Sequence, residues 1–540
     1  MPKRANLGQS SRTDKKAATS RAWPVAFART ALVAIALMAC TSGGRSTVPS
    51  AATHQRVAST TLTSPNTAVP PSTAGPAVPL PAAVPLPTTR PLLDVGPAQV
   101  GRPWGKKVDG LLTFRGNPSR TFYGTGPMPR TAPKILWRFP ETGALCSLSS
   151  DQHGERQWCG TGWTGEPAVF ERNGRTWMAF GSYGSAVHVL DADTGKRMLP
   201  DLKVGDIIKG GVTVDPDGFP LVYAGPRDNK LRVIAIDRDV PTVLWELSAN
   251  AVSPTKWNND WDGSPLIVDD YLVEGGENSQ FHVVKLNRGY DSNGKVTVDP
   301  QLVFHTPGWD DQLVRHVGQD VSIENSVAMS GSVAYFANSG GLVQGWDLSP
   351  IPRGQPAVRT FRFWTGDDTD ASVVIDEDGM LYVASEFERD NARSKEVGQI
   401  MKLDPSKPDE PIVWSIPARS TAPSGVWATP ALAGDLAIVV TDDGDVLGLD
   451  RADGTIRWTF HLVPHLWSSP VVIDDVLLVG ACDGRLYAYD LAVDVADGTP
   501  PPALWEVRID GGCIESTPAV WNGRIYVGTR AGAVYALGLG

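Results

Sequence analysis

The feature that most constrains this chain is a four-strand unit that recurs through its C-terminal three-quarters. A short apolar run ending in Asp or Asn marks the third strand, c, of each unit: Asp191 in HVLD, Asp237 in IAID, Asn287 in VKLN, Asp347 in QGWD, Asp404 in MKLD, Asp450 in LGLD and Asp490 in YAYD. The runs alternate with period two and are separated by D-G, N-G and G-G pairs, which reads as strands joined by tight turns. Repeats of this length built from strands are the signature of a β-propeller. A second mark falls on strand d, an apolar stretch holding Trp137, Trp245, Trp364, Trp414, Trp458 or Trp505, with Phe304 in the same slot once. A ring of large aromatics at one blade position is expected to pack between neighbouring sheets, since each can bury about 150–250 Å².

Strand a often follows a proline (Pro167, Pro265, Pro430, Pro470, Pro518), a residue tolerated at the first position of a strand. Units counted from strand a begin near residues 166, 210, 264, 325, 371, 428, 468 and 516. The eighth has strands a, b and c and then the chain stops, whereas the first strand of the body, about 135–139, is a d-type strand with nothing before it. The fold expected is all-β: an eight-bladed β-propeller of four-stranded blades, the last blade closed by that N-terminal strand. Pairing the two incomplete ends removes the open edges of the ring.

Ahead of the repeats, residues 1–30 are basic and residues 31–39 read ALVAIALMA. Nine apolar residues are too few to span a bilayer and suit the core of a signal peptide. Leu37-Met38-Ala39-Cys40 resembles the lipobox of bacterial lipoproteins. That resemblance implies a signal peptide over 1–39, a diacylglyceryl thioether on Cys40 and a membrane partner engaged through that lipid. Residues 40–100 are rich in Pro, Ala, Ser and Thr, with eleven Pro over 41–100. They read as a disordered tether with an upper reach on the order of 170 Å. The expected location is the extracytoplasmic side of the cell membrane, lipid-anchored. The propeller is then 101–540, expected to be monomeric. The net charge is −10, and since the first 39 residues hold seven basic residues and one acidic, the rest carries −16, which excludes nucleic acid as a partner.

Four cysteines follow Cys40: Cys146, Cys159, Cys482 and Cys513. An even count in an exported chain favours disulfides, of which three pairings exist. Cys146 and Cys159 share one insert, and Cys482 and Cys513 fall in loops on one face of adjacent blades, so 146–159 and 482–513 are expected.

Asp191-Ala-Asp-Thr-Gly195, its variant Asp450-Arg-Ala-Asp-Gly454 with Trp458, the C-terminal VYALGLG and the opening segment Phe114-Arg-Gly-Asn-Pro-Ser-Arg-Thr121 together resemble the quinoprotein-like (PQQ-type) β-propeller family. The resemblance covers about 104–540. Within that family the lipid anchor and the missing catalytic set look most like the lipoprotein scaffold of the outer-membrane β-barrel assembly machine, which implies no cofactor. Family dehydrogenases hold pyrroloquinoline quinone beside an adjacent Cys-Cys pair and a Ca²⁺ cage; this chain has no adjacent cysteines and no C-x-x-C-H haem motif.

The loops leading into strand a converge on the channel mouth. They bring Trp163, Trp261, Trp427 and Trp467 together with Asp260, Asp262, Glu324, Asp370 and Glu515, flat apolar faces beside acids. The leading expectation is a non-enzymatic binding or scaffold propeller that presents its loop-rich face to a protein, peptide or glycan. The first alternative is a PQQ- and Ca²⁺-dependent dehydrogenase of alcohols or sugars, with the acidic mouth as the cage. The second is a glycan-acting enzyme with paired carboxylates.

Overall fold

Eight sheets of four strands are built from the repeats, in the order a-b-c-d, all antiparallel. The computed structural model describes residues 92–540 apart from 106, 152–153, 163–164 and 418–420. The leader, Cys40 and most of the tether, together with Trp163, lie outside the described residues. Strands a fall at Ala168–Arg172, Thr213–Val214, Leu266–Val268, Ala328–Ser330, Val374–Ile375, Ala431–Ala433, Val471–Ile473 and Ala519–Trp521, two or three residues after each start expected from sequence. The Asn173-Gly174 and Asn522-Gly523 turns hold positive φ at both residues, the geometry that matches the twist of a two-residue hairpin.

The ring closes as expected. Lys134–Phe139 is strand d of blade 8 and pairs antiparallel with Ala533–Gly538, Lys134 opposite Gly538 and Phe139 opposite Val534. Seven of the eight d strands carry a β-bulge against strand c. The extra residue bends the strand and re-aims the side chain beside it. In each case that side chain is a large aromatic: Trp137, Trp245, Phe304, Phe361, Trp414, Trp458 and Trp505. Trp364, assigned to this ring from sequence, is instead three residues further on, opposite Leu342, and stacks on His316 at 4.7 Å. Phe361 holds the equivalent place because the bulge, not the residue type, sets the register.

The ring aromatics dock one blade on the next. Trp137 donates from Nε1 to the Ala192 carbonyl at 2.9 Å, and Trp414 does the same to Arg451 at 3.1 Å. Gly195 and Gly454, at φ of +68° and +77°, lie under these rings: a Cβ there would sit 2.7 and 2.8 Å from ring carbons. The D-A-D-T-G turn of blade 1 and the D-R-A-D-G turn of blade 6 are thus cradles for the strand-d tryptophan of the blade before each.

The centre of the ring is filled by residues 110–125, which touch strand a of every blade. Gly110 and Leu111 pair with Phe170 and Val169 in blade 1, and Val214 of blade 2 donates to Leu112. Thr113 bonds the Pro265 carbonyl of blade 3. Arg120 donates to Val327 of blade 4, Ile375 of blade 5 donates to Ser119, and Arg115 spans the Pro430 and Pro470 carbonyls of blades 6 and 7 at 2.7 Å each. Gly124 bridges to Val520 of blade 8. The prolines that open strand a in blades 6 and 7 leave carbonyls facing the channel, and the fully buried Arg115 guanidinium satisfies both. Residues 92–100, read as tether from their composition, also belong to the propeller: Leu93 is fully buried and its N–H reaches Asp269 in the a–b turn of blade 3.

Glu166 is buried against this plug and accepts from the Arg115 amide. Burial pushes its carboxyl up to about 8, with Arg115 and Arg120 opposing. A carboxyl raised on folding contributes stability that is complete below its ordinary pKa and is lost as pH climbs through the folded value. Stability should therefore fall between pH about 5 and 8, by up to about 1.4 kcal/mol per pH unit. Urea midpoints for the wild type and Glu166→Gln across that window check this, and the variant should show the shallower slope.

Both expected disulfides are present, Cys146–Cys159 and Cys482–Cys513. The first ties the base of a hairpin, Cys146–Asp151 with Gly154–Cys159, inserted between strand d of blade 8 and strand a of blade 1.

Candidate functional site

The plug enters along the a–b turns. Val95 bonds Gly331 in the a–b turn of blade 4, and Met128 bonds Asp474 in that of blade 7. The lead-in loops and b–c turns meet at the opposite face of the ring. A cavity of about 380 Å³ lies there, lined by Arg156, Trp158, Tyr183, Lys209, Glu324, Asp370, Trp427, Trp467, Glu515 and Arg530.

Five residues expected from sequence meet in it: Glu324, Asp370, Trp427, Trp467 and Glu515. They come from the lead-in loops of blades 4 to 8, one from each. Trp427 and Trp467 are 6.4 Å apart between ring centres, and the Trp467 indole is fixed by a 2.7 Å bond to Asp442. Glu515 accepts both its bonds from Arg530, at 2.9 and 3.0 Å. Burial raises its pKa, with Arg530 opposing. Asp370 is raised well above the ordinary range by burial and by the charge of Glu324.

Three expected residues do not reach the opening. Trp261 is fully buried, packed on His282 at 5.0 Å between ring centres. Gly225 and Gly276 leave room for it: a Cβ at either would press on its side chain. Asp260 is buried in an ion pair with Arg227. Asp262 is buried against Lys209. In N-N-D-W-D-G-S-P the backbone turns inward, so a polar-looking loop becomes wall rather than rim.

The residues missed from sequence supply the other side of the cavity. Trp158 and Arg156 are carried in by the disulfide-tied hairpin, and Tyr183 and Arg530 by b–c turns of blades 1 and 8. Guanidiniums lie over the Trp158 ring, Arg156 at 4.1 Å and Arg530 at 5.1 Å, and Arg530 also lies 4.7 Å from the Tyr183 ring. Such contacts are worth about 0.5–2 kcal/mol each. The thirteen-residue separation of Cys146 and Cys159 was the one signal for this wall, since a short disulfide-closed insert at the lead-in face must project over it.

Lys209 decides how the acids behave. Carboxylate oxygens of Asp262, Glu277 and Glu324 come within 4.8 Å of one another, a grouping a cation would suit. The Lys209 ammonium lies among them: against Asp262, 3.5 Å from Glu277 and 4.0 Å from Glu324. Burial works against its charge, but the three carboxylates outweigh that and hold it well above its usual range. A protein ammonium thus takes the place of a divalent ion. With no adjacent cysteine pair in the chain, these residues do not fit the quinone–Ca²⁺ arrangement of the dehydrogenases.

Residues 330–537 match the family model described as outer membrane protein assembly factor BamB. Curated proteins give no match. Among solved structures, the chain is similar to the computationally designed Ika8 protein at 12% identity and a TM-score of 0.50, over 75% of this chain and 99% of that one. It is also similar to quinohemoprotein alcohol dehydrogenase ADHIIG from Pseudomonas putida HK5, at 12% identity and a TM-score of 0.52, over 80% of each. A further match is BamB from Moraxella catarrhalis, at 13% identity, over 75% of this chain and 100% of that one, with a TM-score of 0.37.

Proposed function

Taking the chain as a PQQ-like eight-bladed β-propeller, we propose that it is a lipid-anchored extracytoplasmic binding scaffold, which presents its lead-in face to a protein or peptide partner. One observation carries the reading: five separate lead-in loops deliver aromatics and acids to one cavity at the lead-in face. Lys209 and Arg530 are already paired with carboxylates. What is left for a partner is apolar surface from Trp427 and Trp467, with the Glu324 and Asp370 side chains beside it. That pattern suits a chain segment offering an apolar side chain and a basic group. The two disulfides support an oxidising compartment. Among the described residues no helix is long and apolar enough to cross a membrane, so the lipid on Cys40 is the anchor this reading requires.

The hydrolase alternative draws less from the geometry. Glu324 and Asp370 come from neighbouring blades, and the carboxylate from blade 8, Glu515, is held by Arg530.

Fractionation and crosslinking test the proposal. Cys40→Ala should release the protein from membranes and abolish fatty-acid labelling. A photo-crosslinker on intact cells should trap a defined partner at the mouth, and Trp427→Ala with Trp467→Ala should cut that yield about tenfold or more, as loss of central aromatic anchors does. Dye reduction with alcohols or sugars by protein supplied with the quinone and Ca²⁺ would replace the scaffold reading with the dehydrogenase one.

A further inference from the structure

A second group of acids, outside the lysine-filled one, has no cation at its centre. Asp368 belongs to the lead-in loop of blade 5, and Glu386 and Glu388 follow strand b of the same blade. Carboxylate oxygens of the three come within 4.8 Å of one another. We propose that these three side chains form a divalent-cation site suited to Ca²⁺, at the edge of the mouth.

Buried oxygens without a donor point to it. Glu386 is 3% exposed. Its Oε1, the Oδ1 of Asp368 and the Oδ1 of the adjacent Asp370 are all buried with no hydrogen-bond partner. Orphaned carboxylate oxygens are costly, and three in one place ask for a shared positive charge.

The neighbouring charges provide only part of it. Asp367 is satisfied by the backbone N–H groups of Glu388 and Arg389. The Arg389 guanidinium bonds Asp320 through Nη2, and its Nη1 lies 3.6 Å from Asp367 and 4.0 Å from Asp368. Lys209 acts on Asp370 from the cavity while held by Asp262. The cluster thus carries more acid than the cations around it can balance.

The frame is fixed in advance. The Glu386 amide bonds the Asp368 carbonyl at 2.8 Å, and Glu386–Phe387 pairs with Ser424–Gly425. Main-chain bonds rather than long side chains therefore set the spacing, and the exposed Glu388 gives an ion a way in. The donors are all hard carboxylate oxygens, and Ca²⁺ accepts such sets with mono- or bidentate carboxylates and water completing six to eight oxygens. Mg²⁺, which demands a tighter octahedron, should bind more weakly.

The test uses the full chain stripped with EDTA and titrated calorimetrically with Ca²⁺ alone. The expected result is one ion per chain, a rise in Tm, and an affinity that weakens as pH falls, because protons compete for the same oxygens. Glu386→Gln and, separately, Asp368→Asn should each weaken binding about tenfold or more. Glu277→Gln, in the cluster already filled by Lys209, should leave it unchanged. Two results overturn the proposal: no heat and no Tm shift at about 10 mM Ca²⁺, far above the weakest extracellular sites, or binding that survives both the Glu386 and Asp368 variants. Two variants are used so that misfolding of one, seen by circular dichroism, leaves the other to decide.

Discussion

A chain ended after Ala533 should fail to fold, whereas one ended after Gly538 should be as stable as the full protein. The missing residues are most of strand c of blade 8. Val534, Ala536 and Leu537 are fully buried, and burying a side chain such as Val or Leu is worth about 1.5–3 kcal/mol. The larger loss is indirect. Lys134–Phe139 pairs with no other strand among the described residues, so Trp137 leaves its cradle at Gly195 and blades 8 and 1 part. Two open sheet edges then replace a closed ring, the situation that invites aggregation. The summed cost exceeds the about 5–15 kcal/mol by which domains are stable. Leu539 is 61% exposed, which is why the shorter deletion is the control. Soluble yield and a cooperative thermal transition distinguish the two, and a normal transition for the longer deletion would refute the account of closure.

Replacing Arg120 with Ala should cost about 3–5 kcal/mol, the range for removing one partner of a buried charged network. Its Nε and Nη2 both reach the Val327 carbonyl, and Nη1 reaches the Phe114 carbonyl at 2.7 Å and Thr113 Oγ1 at 3.2 Å. Burial lowers its pKa to about 10, with Glu274 and Glu166 opposing, so it stays charged at neutral pH. Glu274 is fully enclosed, its pKa driven well above the carboxylate range by burial with only Arg120 pulling back, and neither oxygen has a hydrogen-bond partner. Without Arg120, two buried carbonyls lose their donor and this carboxyl loses the one charge that opposes its burial. Arg120→Lys should recover little, because one ammonium cannot copy a planar fork that serves three acceptors. Chemical unfolding of Arg120→Ala, Arg120→Lys and Arg120→Ala with Glu274→Gln measures this, and the double variant should be less damaged than the sum of the singles.

Legibility followed period and position. The alternating strands, the Asp that closes strand c, the I′ turns and the matching half-blades at the two ends gave blade number and closure directly. Trp364 shows where that reading failed. A tryptophan in an apolar run looks equivalent to its counterparts, but the aromatic slot is defined by a one-residue bulge, which leaves no mark in composition. Trp261 failed for a related reason: its loop is polar in sequence, and its indole is swallowed because Gly225 and Gly276 leave space for it from elsewhere in the chain. Phe114–Thr121 was visible as a family-like opening, but nothing in its letters says that it fills the channel.

What the chain determined locally was everything set by near neighbours: strand periodicity, turn chemistry, the count of units, and cysteine pairs close in sequence or in adjacent blades. What only the tertiary structure decided was everything set by partners hundreds of residues apart. Arg115 meets carbonyls 315 and 355 positions away, and Lys209 enters a carboxylate trio that spans blades 3 and 4. A circular fold brings eight distant loops to one axis, so the chemistry at that axis depends on which side chains arrive there and which are already neutralised, and such long-range pairing has no local pattern to betray it.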